Sequence, residues 1–184
     1  MYNGMKTCYQ WNYAGTLPTA KVDNAASNQI FFESFEEDTS ATSAQQRTGL
    51  KSKAIIGSYT IPTVNLPGIT GNYVLSYWAK ENNAVWIYKE KLIQNYPLGN
   101  AIATDAINGF IDDVRLYPSG AMMTTYTYEP LVGITSVTDP SNVTVFYEYE
   151  VFGRLKCTRD QDKNIVKAYD YQFKAPASYK VIQP

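Results

Sequence analysis

The stretch YEYEVFGRLKCTRDQDKNIVKAYDY, residues 147–171, restates with changes the stretch that precedes and overlaps it, YTYEPLVGITSVTDPSNVTVFYEY, residues 126–149. Aligned on their tyrosine pairs, Tyr126 maps to Tyr147 and Tyr147 to Tyr169, spacings of 21 and 22 residues, while Gly133 maps to Gly153 and Asp139 to Asp160. A period that short, running through YxY, a glycine turn, a short strand, an aspartate turn and another YxY, describes one β-hairpin unit. A hairpin of this size is not stable alone in water, and its edges carry unpaired donors and acceptors. Two copies are also fewer than the three a repeat array needs to bury a core. The hairpins must therefore pack against another part of the chain or pair with a second copy. Tyr126, Tyr128, Tyr147, Tyr149, Tyr169 and Tyr171 are expected on neighbouring strands, each pair turned to one face and held by burial.

Upstream, IFFESFE (30–36), AIIGSYTI (54–61), YVLSYWAK (73–80), AVWIYKEKLI (84–93) and FIDDVRLY (110–117) are short segments rich in β-branched and aromatic residues. Between them stand TVNLPGITGN, KENN and NYPLGN, whose Gly, Pro and Asn mark turns. Regular short strands with such turns predict an all-β chain with an antiparallel β-sandwich. EEDTSATSAQQRTG (36–49) is polar and small, and reads as a loop. WNYAGTLPTAKVDNAASN reads as an extended connector with little to bury. The expected organisation is a connector over 1–29, a sandwich over 30–120, two hairpin repeats over 121–173 and a tail over 174–184.

Histidine is absent, which excludes Ser-His-Asp and Cys-His catalysis and the commonest zinc sites. Cys8 and Cys157 lie near opposite ends without a CxxC partner or an activating basic cluster, and read as isolated thiols, with a disulfide between them as the alternative. A net charge of −1 supplies no attraction to nucleic acid, so no nucleic-acid partner is expected. No apolar run is long enough to span a bilayer, and the first residues lack the basic start and apolar middle of a signal peptide.

Alternation places Leu75, Tyr77 and Ala79 on one face, with Val85 and Ile87 as hairpin partners, and leaves Trp78, Trp86 and Tyr88 together on the other. Such an aromatic cluster is either a platform for the C–H face of a sugar or a packed contact with a neighbouring domain. On the last strand, Phe110, Asp112, Val114 and Leu116 share a face. Core-facing Val114 and Leu116 would turn Asp112 inward, and an inward carboxylate needs a partner. Asp113, on the opposite face, is expected to be solvated.

The segment from Ile30 to Tyr117, through ESFE, YVLSYWAK and FIDDVRLY, resembles the galactose-binding-like jelly roll of many carbohydrate-binding modules. The resemblance implies a jelly-roll sandwich and a structural calcium between an acidic residue of the first strand and an aspartate of the last, positions held here by Glu36 and Asp112. Calcium, an arginine and backbone amides remain the alternative partners; no other cofactor is expected. The hairpin period resembles the YD repeat of the RHS family, and DDVRLYPSGAMMTTYTYEPLVGITSVTD is similar to the junction where a lectin-like domain passes into YD repeats in bacterial surface proteins. The family's glycine after the turn aspartate is replaced by Asn142 and Lys163, and its arginine after the turn glycine is kept as Arg154 but is Ile134 in the first copy. Asparagine tolerates a left-handed conformation; lysine does so less well.

The RHS resemblance implies a location at the bacterial cell surface or outside the cell, and a chain that is one piece of a larger protein whose other segments are its partners. A non-enzymatic structural and interaction segment, self-associating through hairpin strands, is the first expectation. A carbohydrate-binding module using Trp78, Trp86 and Tyr88 is the second. A carboxylate glycosidase is the third and weakest, since nothing in the spacing of the 17 acidic residues singles out a catalytic pair.

Overall fold

A computed structural model describes residues 6–42, 45–81 and 84–172. Among these, twelve strands form two antiparallel sheets: β1 (Thr7–Asn12), β2 (Leu17–Asp23), β3 (Phe31–Glu33), β4 (Lys53–Gly57), β5 (Gly71–Glu81), β6 (Ile87–Tyr96), β7 (Ile107–Pro118), β8 (Met122–Glu129), β9 (Gly133–Thr138), β10 (Thr144–Tyr149), β11 (Leu155–Arg159) and β12 (Ile165–Ala168). The chain is all-β, as its pattern predicts, and among the described residues no helix is long and apolar enough to cross a membrane. Residues 173–184, which take in the tail, lie outside the described residues.

Residues 30–120 contribute one five-stranded sheet, ordered β3-β7-β5-β6 with β4 also on β7. Alternation along β5 buries Tyr73, Leu75, Tyr77 and Ala79 against Ile107, Ile111, Val114 and Leu116 of β7. The connecting segments close this core with Phe35, Ile61 and Ile102. Each such aliphatic or aromatic side chain contributes about 1.5–3 kcal/mol through burial.

The alternation of β7 does not run through unbroken. Ser76 pairs with Arg115 and Trp78 with Asp112, so Tyr77 alone faces both Asp113 and Val114. Asp113 takes up the extra residue of this β-bulge at φ 50°. The core face therefore passes from Ile107 and Ile111 to Val114 and Leu116, and two expectations need correcting. Asp112 is buried, but beside Trp78 on the face away from Val114. Asp113 is not solvated; it is 2% exposed.

The second sheet has seven strands in the order β1-β2-β8-β9-β10-β11-β12. Its first hairpin overturns the reading of residues 1–29 as a connector: Ala20 and Val22 are fully buried and pack with Phe32 and Met123 between the two sheets. The sandwich is thus shared, one layer from residues 30–120 and the other from the hairpins.

That first hairpin is a third copy of the repeat. In β1–β2, Gln10 pairs with Ala20 and Trp11 with Pro18; in β8–β9, Thr127 pairs with Ser136 and Tyr128 with Ile134; in β10–β11, Glu148 pairs with Cys157 and Tyr149 with Leu155. Each hairpin carries the same one-residue bulge, at Thr19, Thr135 and Lys156. Successive copies are joined by the same bond. The hydroxyl of Tyr128 donates to the Pro18 carbonyl at 2.7 Å, that of Tyr149 to Ile134 at 2.9 Å and that of Tyr171 to Leu155 at 2.9 Å.

The aspartate turns repeat as closely. Asp139 Oδ1 accepts from the amides of Ser141 and Val143, and Asp160 Oδ1 from those of Asp162 and Asn164, all within 2.9 Å. Asn142 and Lys163, the residues standing in for glycine, both adopt the left-handed conformation, at φ 62° and 68°. In the first copy the matching aspartate is Asp23. It pairs directly with Met122, so residues 24–121, which include the five-stranded sheet, occupy the place of the turn. A bond of 2.9 Å from Asn24 Nδ2 to the Gly120 carbonyl ties the two ends of this excursion together.

The tyrosine pairs lie on alternate strands, β8 and β10, not on neighbouring ones, and Tyr169 and Tyr171 follow β12. Met123, Thr125 and Thr127 are buried toward the five-stranded sheet, where Arg115 Nη2 donates to Thr125 Oγ1 at 2.7 Å. Alternation therefore puts Tyr126 and Tyr128 on the opposite face. Their hold is the link from one hairpin to the next; burial toward the five-stranded sheet is supplied by Met123, Thr125, Thr127 and Phe146.

Candidate functional site

The β5–β6 register sets Trp78 directly opposite Tyr88, on the face turned away from Tyr77 and Ala79. Their rings lie 5.6 Å apart at 56°. Trp86 stands just before β6. Trp78 and Trp86 line one cleft of about 380 Å³, together with Gln46 and Arg47 of the β3–β4 loop and Gln161, Asp162 and Lys163 of the Asp160 turn. Tyr88 packs behind Trp78 and donates its hydroxyl to Glu90 Oε2 at 2.6 Å.

Arg47 is the centre of this arrangement. Its guanidinium carbon lies 4.2 Å from the Trp78 ring centre and 5.4 Å from that of Phe146, and the residue is 7% exposed. The Lys163 ammonium sits 2.9 Å from the Phe146 ring centre, although the residue as a whole is exposed. Desolvation there, reinforced by the charge of Arg47, lowers its pKa to about 8. Neither Arg47 nor Lys163 makes a side-chain ion pair or hydrogen bond among the described residues, and the Trp78 indole N–H is buried without an acceptor. Among the described residues Asp162 is the one carboxylate lining the cleft.

Behind the cleft runs a buried charged layer between the sheets. Asp112 Oδ2 accepts the amides of Arg47 and Thr48 at 2.8 and 3.2 Å, and Oδ1 accepts the amide of Asp113 at 2.8 Å. Asp113 Oδ1 accepts the Thr48 hydroxyl at 2.7 Å, while Oδ2 has no partner. Burial pushes both carboxyls above the usual range, and for Asp112 the neighbouring Asp113 charge adds to it. Burial likewise holds Arg47 and Arg115 below the ordinary guanidinium value.

Glu36 belongs to a different cluster. Its Oε1 accepts the amides of Leu50 and Lys51 at 2.9 and 3.1 Å. Asp112 and Glu36 therefore serve separate pairs of backbone amides, and no group of three or more His, Cys, Asp or Glu side chains able to hold a metal occurs among the described residues. Calcium prefers six to eight oxygen ligands, and this donor set does not fit it. The amide alternative accounts for both carboxylates. Cys8 and Cys157 are free thiols.

Of the aromatic candidates, the structure brings Trp78 and Trp86 to one cleft and leaves Tyr88 as support. Nothing in the sequence marks Arg47 or Lys163 as a cleft residue. One lies in a featureless polar loop and the other in a repeat turn, and only the packing of the two sheets joins them. The fold and the cleft define an all-β protein of two antiparallel sheets with an aromatic, cation-lined recess between them. Comparison with family models and with curated proteins finds no match to this chain.

Proposed function

We propose that the chain is a non-enzymatic structural and interaction segment of a bacterial cell-surface protein of the RHS type. The observation that carries this reading is the threefold recurrence of one hairpin, with the same bulge and the same tyrosine-to-carbonyl link, around the five-stranded sheet. The single carboxylate of the cleft supports the non-enzymatic part, since glycoside hydrolysis employs a facing pair. Among the described residues β1 and β12 are the two edges of the array, and β1 carries Tyr9 and Trp11 at 46% and 54% exposure. An apolar open edge pairs with further strands, and a lysine placed on it discourages pairing. Sedimentation velocity over a range of concentrations tests this: the full chain associates, and Trp11→Lys keeps it monomeric. A chain that stays monomeric throughout, with or without the substitution, refutes the interaction reading.

A second reading rests on the cleft. Two tryptophans beside glutamine amides and charged groups suit a glycan, through C–H contact with the rings and hydrogen bonds to hydroxyls. Tryptophan fluorescence titrations with neutral and acidic oligosaccharides test it, and a flat response to every sugar refutes it.

A further inference from the structure

We propose that the cleft receives a carboxylated sugar, a uronate, whose carboxylate lies against Arg47 and Lys163 while its ring rests on Trp86. This rests on the glycan reading above and narrows it to one chemical class.

The argument begins with Arg47. A guanidinium presents five N–H donors in a planar fork, and those of Arg47 are not among the fully buried side-chain atoms without a partner, so they keep contact with solvent. Here the residue is 7% exposed, and the rings of Trp78 and Phe146 flank the guanidinium without accepting a conventional hydrogen bond. Its main-chain N–H, not its side chain, meets Asp112. The fork is therefore held in place with its donors unspent, and it lines the cleft. Lys163 is in the same condition from the other side: its ammonium lies on Phe146 and makes no ion pair or hydrogen bond among the described residues.

Two such cations face the cleft beside the carboxylate of Asp162. Asp112 and Asp113 lie behind Arg47 and are engaged by main-chain amides and the Thr48 hydroxyl, so the cleft wall offers two cationic donors to an incoming carboxylate. Planar carboxylates match an arginine fork, and charge-assisted bonds are the stronger ones. The remaining lining groups describe what should accompany the carboxylate. Gln46 and Gln161 offer amides to hydroxyl groups, Asp162 accepts from a hydroxyl, and Trp86 offers a flat apolar face, the ring of Trp78 being covered by Arg47. A volume of about 380 Å³ falls within the roughly 300–1,000 Å³ range of small-ligand sites. A bare inorganic anion would use the cations and leave the aromatic and amide walls idle.

The test titrates the full chain with a galacturonate trisaccharide, its neutral galactose counterpart and inorganic sulfate, followed by tryptophan fluorescence and calorimetry. The uronate should bind roughly tenfold tighter than the neutral sugar, with an affinity that falls as salt is raised. Lys163→Asn is the chosen variant, because asparagine occupies the same left-handed turn position at Asn142 and so removes charge without straining the turn; its melting curve checks this. It should weaken the uronate roughly five- to tenfold and leave the neutral sugar unchanged. Equal affinity for the two sugars, or indifference of uronate binding to Lys163→Asn, overturns the inference while the glycan reading stands. Sulfate binding as tightly as the uronate, with no neutral sugar bound, also overturns it, because the site is then an anion site. If no saccharide binds, inference and reading fall together.

Discussion

Replacing Glu36 by glutamine should stabilise the protein at neutral and alkaline pH and do nothing at acid pH. Glu36 Oε1 holds the amides of Leu50 and Lys51, and a methyl group at Gly49 would collide with the carboxylate. Burial pushes the carboxyl up to about 7, with the charge of Asp113 adding to it against the pull of the two amides. The folded value thus lies above the unfolded one near 4.5. Between pH 4.5 and 7 the native state binds more protons than the unfolded chain, so stability is greatest below that window and is lost as pH rises through it. At 1.36 kcal/mol per pH unit the loss amounts to about 3 kcal/mol at most.

Glutamine keeps the Oε1 acceptor and never ionises. The variant should recover much of that loss above pH 7, which for a chain of this size corresponds to a Tm gain of up to roughly 6–12 °C, and should match the parent near pH 4.5. Calorimetric melts at pH 4.5, 6 and 8.5, each with and without EDTA, measure this. A lower Tm for E36Q at pH 8.5, or an equal difference at every pH, refutes the buried-charge account. A parent protein destabilised by EDTA, with E36Q indifferent to it, would instead restore calcium to Glu36.

Six further substitutions probe the frame. Tyr128→Phe and Tyr149→Phe each remove the hydroxyl that reaches the preceding hairpin and should cost about 1 kcal/mol by chemical denaturation, with Tyr171→Phe costing less because that tyrosine is more exposed. Asp160→Ala and Asp139→Ala strip two amide caps from matching turns and should each lower the denaturation midpoint by a similar amount; a clear difference between them would mean that the turns are not equivalent. Gly109→Ala drives a methyl group into the main chain of Lys80 and Glu81, and a loss of more than about 2 kcal/mol is expected, seen as a lowered denaturation midpoint.

What was legible in the sequence followed from local rules. Period-two alternation found the five strands of residues 30–120 and assigned Tyr77 and Ala79 to the core. It also put Trp78 and Tyr88 on a common face, because a two-stranded register translates directly into facing side chains. Alternation failed where one residue was added. The bulge at Asp113 reversed the faces of β7, and the adjacent aspartates carry no mark of it. The first hairpin was hidden for a different reason. Trp11 and Pro18 stand where the other copies have tyrosine and an aliphatic residue, and residues 24–121 replace its aspartate turn, which removes the period that exposes the other two copies. Yet the turn and the excursion solve the same geometric problem. Asp139 closes its strands through five residues, whereas Asp23 and Met122 lie paired and the intervening chain leaves and returns at one point, fastened by Asn24 and Gly120. The excursion therefore asks nothing of the array except an open turn, and it folds back so that Phe32 meets Val22 and Met123. That return is also what carries Arg47 to Phe146 and to the turn of Lys163, so the cleft is a product of the packing between two layers and belongs to neither alone.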